Sequence, residues 1–382
     1  MKILHTSDWH LGKIVLAQSM LEDQQYFIEQ CFLPALDEYR PDVIVLAGDI
    51  YDRSIAPLPA ISLFEYTLYE VARRGIPLIA IAGNHDSAER LLPAARLMRS
   101  AGIYLANTIS DCFSPIDIKA ADGSAARFFP LPYSDLSQCK AFLRDDEPKS
   151  MNDAYAALFA HAQNQLASDR PNILITHCTV TGAVSCESES RVAVGGAEQV
   201  SSELFGTFGC TCLGHIHSPQ RAGKNVMYSG APLRYSFDVN ERDKSMLLID
   251  TADGISYKTI PVTPRRAMRT VTGTFEELLS GQDAYPEDYI FAVVNDDHLI
   301  YEPMTRLREK YPHILGLSQT YLTRAAADGS ERDKLREKIT GHTVTDREIM
   351  TSFLRDICGT EPTEDDLAFF DGVCAATGED EA

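Results

Sequence analysis

The sequence predicts a layered α/β fold, two packed sheets flanked by helices, followed by a small α+β appendage and a helical tail. Three observations predict it. Short apolar runs alternate with helical patterns through the first half, the texture changes after Pro264-Arg265-Arg266, and residues 341–382 reduce to short amphipathic segments on an acidic background. Ile3-Leu4 opens the first strand, and a helix over about 20–38 carries Phe27, Cys31 and the Phe32/Leu36 pair as its apolar stripe. Val43-Ile44-Val45-Leu46-Ala47 has the composition of a strand buried on both faces. A helix over 58–74 stops at Gly75, residues 77–82 form another buried strand, and a helix follows over about 88–100. Strands near 172–175, 211–213 and 226–228, with Ser245–Asp250, are expected to build the second sheet. Beyond residue 264, the strand 270–272, a helix capped by Thr274 with Glu277 three residues on, the strand Tyr289–Val294, a helix over 304–311 and the strand 314–317 form a compact βαβαβ unit. The expected domains are 1–263 and 264–322, a charged linker over 323–340, and a two-helix acidic tail over 341–382.

Composition narrows the function. The 382 residues are 45% hydrophobic and 24% charged, globular values that exclude a disordered or fibrous chain. Fifty-five acidic against 35 basic residues give a net charge of −20, which argues against a free-standing nucleic-acid binder because phosphate contacts need positive potential. The charge is uneven, however: from Asp356 onward there are nine acidic residues and no Lys or Arg. Nine cysteines without a CxxC pair, in a chain opening without a signal-peptide pattern and with no apolar run of the ~20 residues a membrane span needs, read as reduced thiols of a cytoplasmic protein. Cys210-x-Cys212 could hold a metal, but the alternation beside Phe208 and Leu213 reads as a strand.

The chemistry sits where the strands end. Ile3 to Ser7 runs into Asp8-Trp9-His10, Val43 to Gly48 into Asp49, and Leu78 to Gly83 into Asn84-His85-Asp86, while later strands deliver His177 and His215-Ile216-His217. In a layered α/β sheet the carboxyl ends of the strands converge on one crevice, so these distant residues can meet. Four imidazoles, two carboxylates and one amide oxygen suit borderline divalent ions such as manganese, iron or zinc better than magnesium. The set is too large for one ion. Asp-x-His and His-x-His place alternate residues of an extended segment on one side, and a central carboxylate, best assigned to Asp49, would bridge two ions about 3.5–4 Å apart with a hydroxide between them. Each fragment alone is weak: Gly48-Asp49 reads equally as a helix cap and His177 as a satisfied core histidine. Their joint order carries the assignment.

The ordered set Asp8-x-His10, Gly48-Asp49, Gly83-Asn84-His85-Asp86, His177 and Gly214-His215-x-His217 resembles the signature of the calcineurin-like metallophosphoesterases. The strings from His5 to Gly12, Gly195-Gly196, Leu213 to Gln220 and Tyr228 to Phe237 are similar to the bacterial SbcD family of nuclease subunits, the similarity running to about residue 320. This resemblance implies a four-layer metallophosphoesterase fold with a capping domain. It also implies a manganese-preferring DNA nuclease that degrades duplex ends 3′ to 5′ and nicks hairpins. Such a subunit works with an SbcC-type ABC ATPase in DNA repair, recombination and replication, as a homodimer within a heterotetramer. It implies one ion held by Asp8, His10, Asp49 and His217, another by Asp49, Asn84, His177 and His215, and His85 as the catalytic residue that contacts the scissile phosphate and assists the leaving oxygen. The chain departs from broader relatives in having Thr176 before His177, and from archaeal and eukaryotic ones in having Asp52 three places after Asp49, which puts a second catalytic histidine in doubt. The stretch 185–194, with Glu187, Glu189 and a single Arg191, does not read as a basic DNA clamp.

Two other functions compete. A small-molecule phosphodiesterase or phosphatase would share the metal centre but has no use for a two-helix tail. A non-catalytic scaffold would show a degenerate centre, whereas all seven ligands and His85 are present. The tail, with Ile349, Phe353, Ile357, Leu367 and Phe370 on apolar stripes, reads as the handle for the ATPase.

Overall fold

The computed structural model describes residues 1–87, 95–189, 198–238, 241–281, 285–321, 351, 363–364 and 366–370. The chain divides into two units, Met1–Ala267 and Met268–Ala382.

The first unit is built on two six-stranded sheets. The first runs Ser256–Pro261, Ser245–Asp250, Lys2–Thr6, Val43–Ala47, Leu78–Ile81, Ile103–Ala106 across its width. The last four are parallel neighbours. The second sheet runs Gln220–Gly223, Val226–Tyr228, Cys210–Gly214, Asn172–His177, Ala125–Leu131, Ile116–Lys119. Ser245–Asp250 therefore corrects the sequence expectation: it pairs antiparallel with Lys2–Thr6, Leu4 opposite Leu248, in the first sheet. Its apolar run would suit either sheet, and only the pairing partner decides.

Alternation along the buried strands makes the layers. Ile3, Val43, Val45, Ala47, Ile79 and Ile81 of the first sheet meet Phe128, Ile173, Ile175, Cys210 and Cys212 of the second in one apolar cluster. The intervening Leu4, Ile44 and Leu46 point the other way and are equally buried. On the outer face of the second sheet, Phe129, Leu174 and Leu213 pack with Tyr155, Leu158 and Phe159 of the helix Met151–Ala162. Helix, sheet, sheet and helix follow as four layers, the expected class. The expected helix over 20–38 is continuous but changes pitch, as Leu21–Phe27, a π segment Ile28–Phe32 and Leu33–Tyr39. Of the helix expected at 88–100, Ala95–Ser100 lies within the described residues.

The second unit carries three parallel strands, Met268–Gly273, Tyr289–Val294 and Ile314–Gln319, with helices Phe275–Ser280 and Pro303–Arg308 between them. Thr274 and Glu277 form the capping box that their spacing predicts. The linker expected at 323–340, and Ile349, Phe353 and Ile357 of the tail, lie outside the described residues. Residues 366–370 are helical, with Thr363 and Asp366 exchanging cap hydrogen bonds.

Candidate metal centre

Strand ends that line up in register place the site. Thr6 pairs with Leu46 and Ala47 with Ile81 in the first sheet, and Gly214 pairs with His177 in the second. The segments leaving these strands stay attached to one another: the Asp8 N–H donates to Gly48 O (3.0 Å), that of His10 to Asp49 O (2.9 Å) and that of Leu11 to Ile50 O (2.9 Å). Trp9, between the two candidate ligands, turns away from the site and meets Phe27, Phe32 and Phe64 edge-on, which locks the segment to the helical layer. Gln24, itself buried, donates to Trp9 O and His10 O.

The backbone here is not extended, contrary to the alternation argument. Asp8, His10, Asp49 and His215 have φ of 54°, 47°, 50° and 100°, a region that costs a non-glycine residue about 1–2 kcal/mol. Such positions persist only where surrounding structure over-determines them, and they concentrate at functional sites. Close approach explains two glycines: a Cβ on Gly83 would lie 2.1 Å from Asp49 Oδ1, and one on Gly214 would lie 1.8 Å from Ala47 O.

All seven predicted ligands converge. Asp49 Oδ2 is 3.6 Å from His10 Nε2 and 3.4 Å from His177 Nε2, so it lies between two groups. On one side His10 Nε2 and His217 Nε2 face each other at 3.0 Å, and Asp8, His10 and His217 offer ligand atoms all within 4.8 Å of one another. On the other side Asn84 Oδ1 lies 3.0 Å from both His177 Nε2 and His215 Nδ1. Asp8 joins the two sheets, its Oδ1 accepting from the His215 N–H at 2.9 Å and its Oδ2 from the Ser7 hydroxyl at 2.5 Å. Because a carbonyl can only accept, His177 must donate Nδ1–H to Ala47 O (2.9 Å), which leaves Nε2 to face Asp49 and Asn84.

Protonation follows from burial and neighbours. Burial holds His10 below its ordinary range and His217 well below it, and burial together with the charge on His177 brings His215 down to about 3. Burial acts against charge on His177 too, but the Asp49 carboxylate overrides it and holds that imidazole at about 9. Burial would raise Asp49, yet His177 keeps it well below the carboxylate range. Burial, reinforced by the Asp49 charge, pushes Asp8 up to about 7 against the pull of His177. Three neutral imidazoles around an ionised carboxylate match what a divalent cation requires of its ligands, and binding one would displace the proton that His177 otherwise holds. The donor set therefore fits two borderline ions, and imidazole nitrogens 3.0 Å apart with no proton obliged between them are a pair that a cation would satisfy.

His85 sits beside the ligands. Its N–H donates to Asp49 Oδ1 (2.9 Å), its ring meets His10 edge-on at 4.8 Å, and its Nδ1 must donate to Asp52 O (2.8 Å). Nε2 is then the basic nitrogen. Asp52 is tied to Lys13 at 2.7 Å.

Several functional contacts escaped the sequence reading. Ser188 Oγ shares a 2.7 Å hydrogen bond with His217 Nδ1, and Glu189 Oε1 accepts from the His217 N–H at 2.7 Å. Lys244 Nζ donates to His217 O (2.8 Å) and pairs with Glu241. Asp86 accepts from the backbone N–H groups of Gly83, Ile50 and Tyr51, fastening two site loops together. Asp86 stood inside the string Gly83-Asn84-His85-Asp86 but was given no role; Ser188 and Glu189, in a polar loop far from His217 in sequence, gave no signal. Cys210 and Cys212 are buried in their strand, and the seven described cysteines are free.

Comparison with known proteins shows the family. A family profile described as Calcineurin-like phosphoesterase matches residues 1–219. The chain belongs to the calcineurin-like phosphoesterase family. A second profile, Type 5 capsule protein repressor C-terminal domain, matches residues 264–356. Within the family the chain is similar to the SbcD subunit of the nuclease SbcCD from Staphylococcus saprophyticus, 33% identical over 327 residues that cover 84% of this chain and 85% of that one. The same subunit from Staphylococcus epidermidis is 32% identical over 325 residues, covering 83% and 85%. The phosphoesterase chain thus belongs to the SbcD group. Among solved structures it is similar to an archaeal phosphodiesterase (14% identity, TM-score 0.31, covering 68% of this chain and 99% of that one). A protein of Thermus thermophilus gives 15% identity and a TM-score of 0.39, with 68% and 98% covered.

Proposed function

We propose that this phosphoesterase is the metal-dependent nuclease subunit of an SbcCD-type complex, hydrolysing DNA phosphodiester bonds at the Asp49-centred site. The observation that carries the reading is the placement of Asp49 Oδ2 between the His10 and His177 nitrogens, in a chain alike over most of its length to SbcCD nuclease subunits. Asp8, His10, Asp49 and His217 would hold one ion and Asp49, Asn84, His177 and His215 the other; the mixed imidazole and oxygen set suits borderline divalent ions, and the resemblance to SbcD subunits implies manganese among them. Two such ions lower the pKa of water and neutralise a bound phosphate. The protein does the rest. Ala47 O and Ser188 orient His177 and His217, and His85, with Nδ1–H fixed on Asp52 O, would take up a proton from water at Nε2 and pass it to the leaving oxygen.

The partners follow from charge and from exposed apolar surface. At −20, DNA affinity must be shared, as association with an ATPase would allow. Among the described residues no helix is long and apolar enough to cross a membrane. Leu58, Ile61, Tyr66 and Tyr69 leave an exposed stripe on the helix Leu58–Arg73, and Leu97 is exposed on the helix after the next strand. Successive right-handed crossovers put those two helices on one face of the sheet, which supports a homodimer formed there. The acidic tail at 341–382 would dock on the ATPase, and the unit at 264–322 would cap the nuclease. Linear duplex, hairpin DNA and a phosphomonoester, each assayed with manganese and with or without the cognate ATPase and ATP, test the reading. Cleavage of both DNA substrates, stimulated by the ATPase, is expected; turnover of the phosphomonoester alone would overturn it.

A further inference from the structure

On the Nδ1 side of His217 lies a second group of metal-ligating side chains, which the two-ion assignment does not use. Cys186, Glu189 and His217 each offer a ligand atom, and these atoms all lie within 4.8 Å of one another. Hydrogen bonds fix them in place. The Cys186 thiol donates to Glu189 Oε1 (3.5 Å), the Cys186 N–H donates to Glu189 Oε2 (3.2 Å), and Glu189 Oε1 also accepts from the His217 N–H (2.7 Å). The Ser188 hydroxyl touches the other two, 3.1 Å from Cys186 Sγ and 2.7 Å from His217 Nδ1. Cys186 is half-buried, so an ion can reach it from solvent. Burial pushes its thiol up to about 11, which keeps it protonated and slow to oxidise.

We propose that this group is an inhibitory site for a thiophilic cation of the zinc class, held by Cys186 Sγ, the Glu189 carboxylate and His217 Nδ1 in the place of the Ser188 hydroxyl. The donors select the ion. Sulfur, imidazole nitrogen and carboxylate together are a zinc set, whereas manganese, a harder ion, gains little from sulfur. Cys186 Sγ and Glu189 Oε1 already stand 3.5 Å apart, close to the separation of about 3.5 Å that zinc bond lengths give two ligands on one tetrahedral ion. The thiol proton leaves to solvent as the metal–sulfur bond forms, and thiolate and carboxylate then neutralise a dication. Inhibition follows from a single lone pair. A neutral imidazole carries its ring lone pair on one nitrogen only. Manganese needs it on Nε2, with Nδ1–H donated to Ser188, and the thiophilic ion needs it on Nδ1, so each ion excludes the other from His217. That exclusion rests on the nuclease reading above; the thiophilic site itself does not.

The test titrates the reduced, metal-free full-length protein with cadmium, a zinc-like probe whose bond to a thiolate absorbs in the ultraviolet. Wild type is expected to develop the absorption of one thiolate more than Cys186→Ser. The variant should bind that cadmium about tenfold or more weakly while binding manganese as wild type does. Equal absorption in the two proteins overturns the site. A second arm needs no variant: manganese added to cadmium-loaded wild type should remove the same absorption. Manganese that binds, read from the loss of its free-ion paramagnetic resonance signal, without lowering the absorption overturns the exclusion. Zinc should inhibit manganese-dependent cleavage of a phosphodiester at a concentration about tenfold or more below that needed for Cys186→Ser, and equal inhibition overturns the regulatory role. If manganese does not bind at all while the thiolate absorption is present, it is the nuclease reading that fails and the thiophilic site that stands.

Discussion

The two halves of the metal centre are built differently. Around His10 and His217 the site is closed: both imidazoles are buried, and Ser188, Glu189 and Lys244 grip His217 by its ring nitrogen, its N–H and its carbonyl. Around Asn84, His177 and His215 a single main-chain carbonyl orients His177, and two of the three side chains are partly exposed beside a cavity. In the proposed centre the closed half would hold its ion the more firmly, and the half with open space would admit substrate and release product. On that reading both sides of Asp49 would hold an ion, and substrate would enter on the Asn84 side.

The largest effect should come from removing what the halves share. Asp49→Ala is expected to abolish cleavage of DNA and of a generic phosphodiester, measured with manganese present, while the fold survives because the strand Val43–Ala47 ends before it. Wild-type rates in that variant would mean the halves work independently. His85→Gln should leave both ions bound by elemental analysis and slow cleavage by about 10²–10⁴, the range for losing one proton-transfer group. Loss of metal would make His85 a ligand.

The loop on the closed half allows a sharper comparison. Ser188→Ala or Glu189→Gln should weaken one of two manganese binding steps by about 10–100-fold and leave the other in place, with Ser188→Thr restoring it. Equal weakening of both steps would erase the distinction between the halves. The smallest effect concerns His5, which lies in the strand Lys2–Thr6 and ties the sheets by donating from Nε2 to Leu213 O (3.1 Å). Burial lowers this imidazole from 6.5 to about 3. As pH falls below 6.5 the unfolded chain takes the proton and the folded one does not, so this contribution to stability is present above 6.5 and lost between there and about 3. Urea midpoints of the metal-free protein should therefore fall with pH over that window, and less steeply in His5→Gln, with one proton fewer taken up on unfolding. Identical slopes would show that His5 is not held neutral.

How legible these features were depends on whether their determinants are local. Val43–Ala47 and Asn172–His177 announced themselves as buried strands, and a glycine before Asp49 and before Asn84 marked where each chain turns into the site, because buried parallel strands leave little room for polar residues except at their ends. The side to which Ser245–Asp250 belongs was not legible, since its five buried residues suit either sheet. Nor were Ser188 and Glu189, whose meeting with His217 depends on a loop path without period. The left-handed backbone at Asp8 and His10 was also invisible, because ordinary residues were made to adopt it by pairing with Gly48 and Asp49.

The central claim is that Asp49 joins two ions in one centre, and manganese titration followed by electron paramagnetic resonance tests it most directly. The full-length protein should bind two manganese ions per chain and show the spectrum of an exchange-coupled pair, replaced in Asp49→Ala by isolated ions or none. One ion per chain at saturation, or two that remain magnetically independent in the wild type, would contradict it.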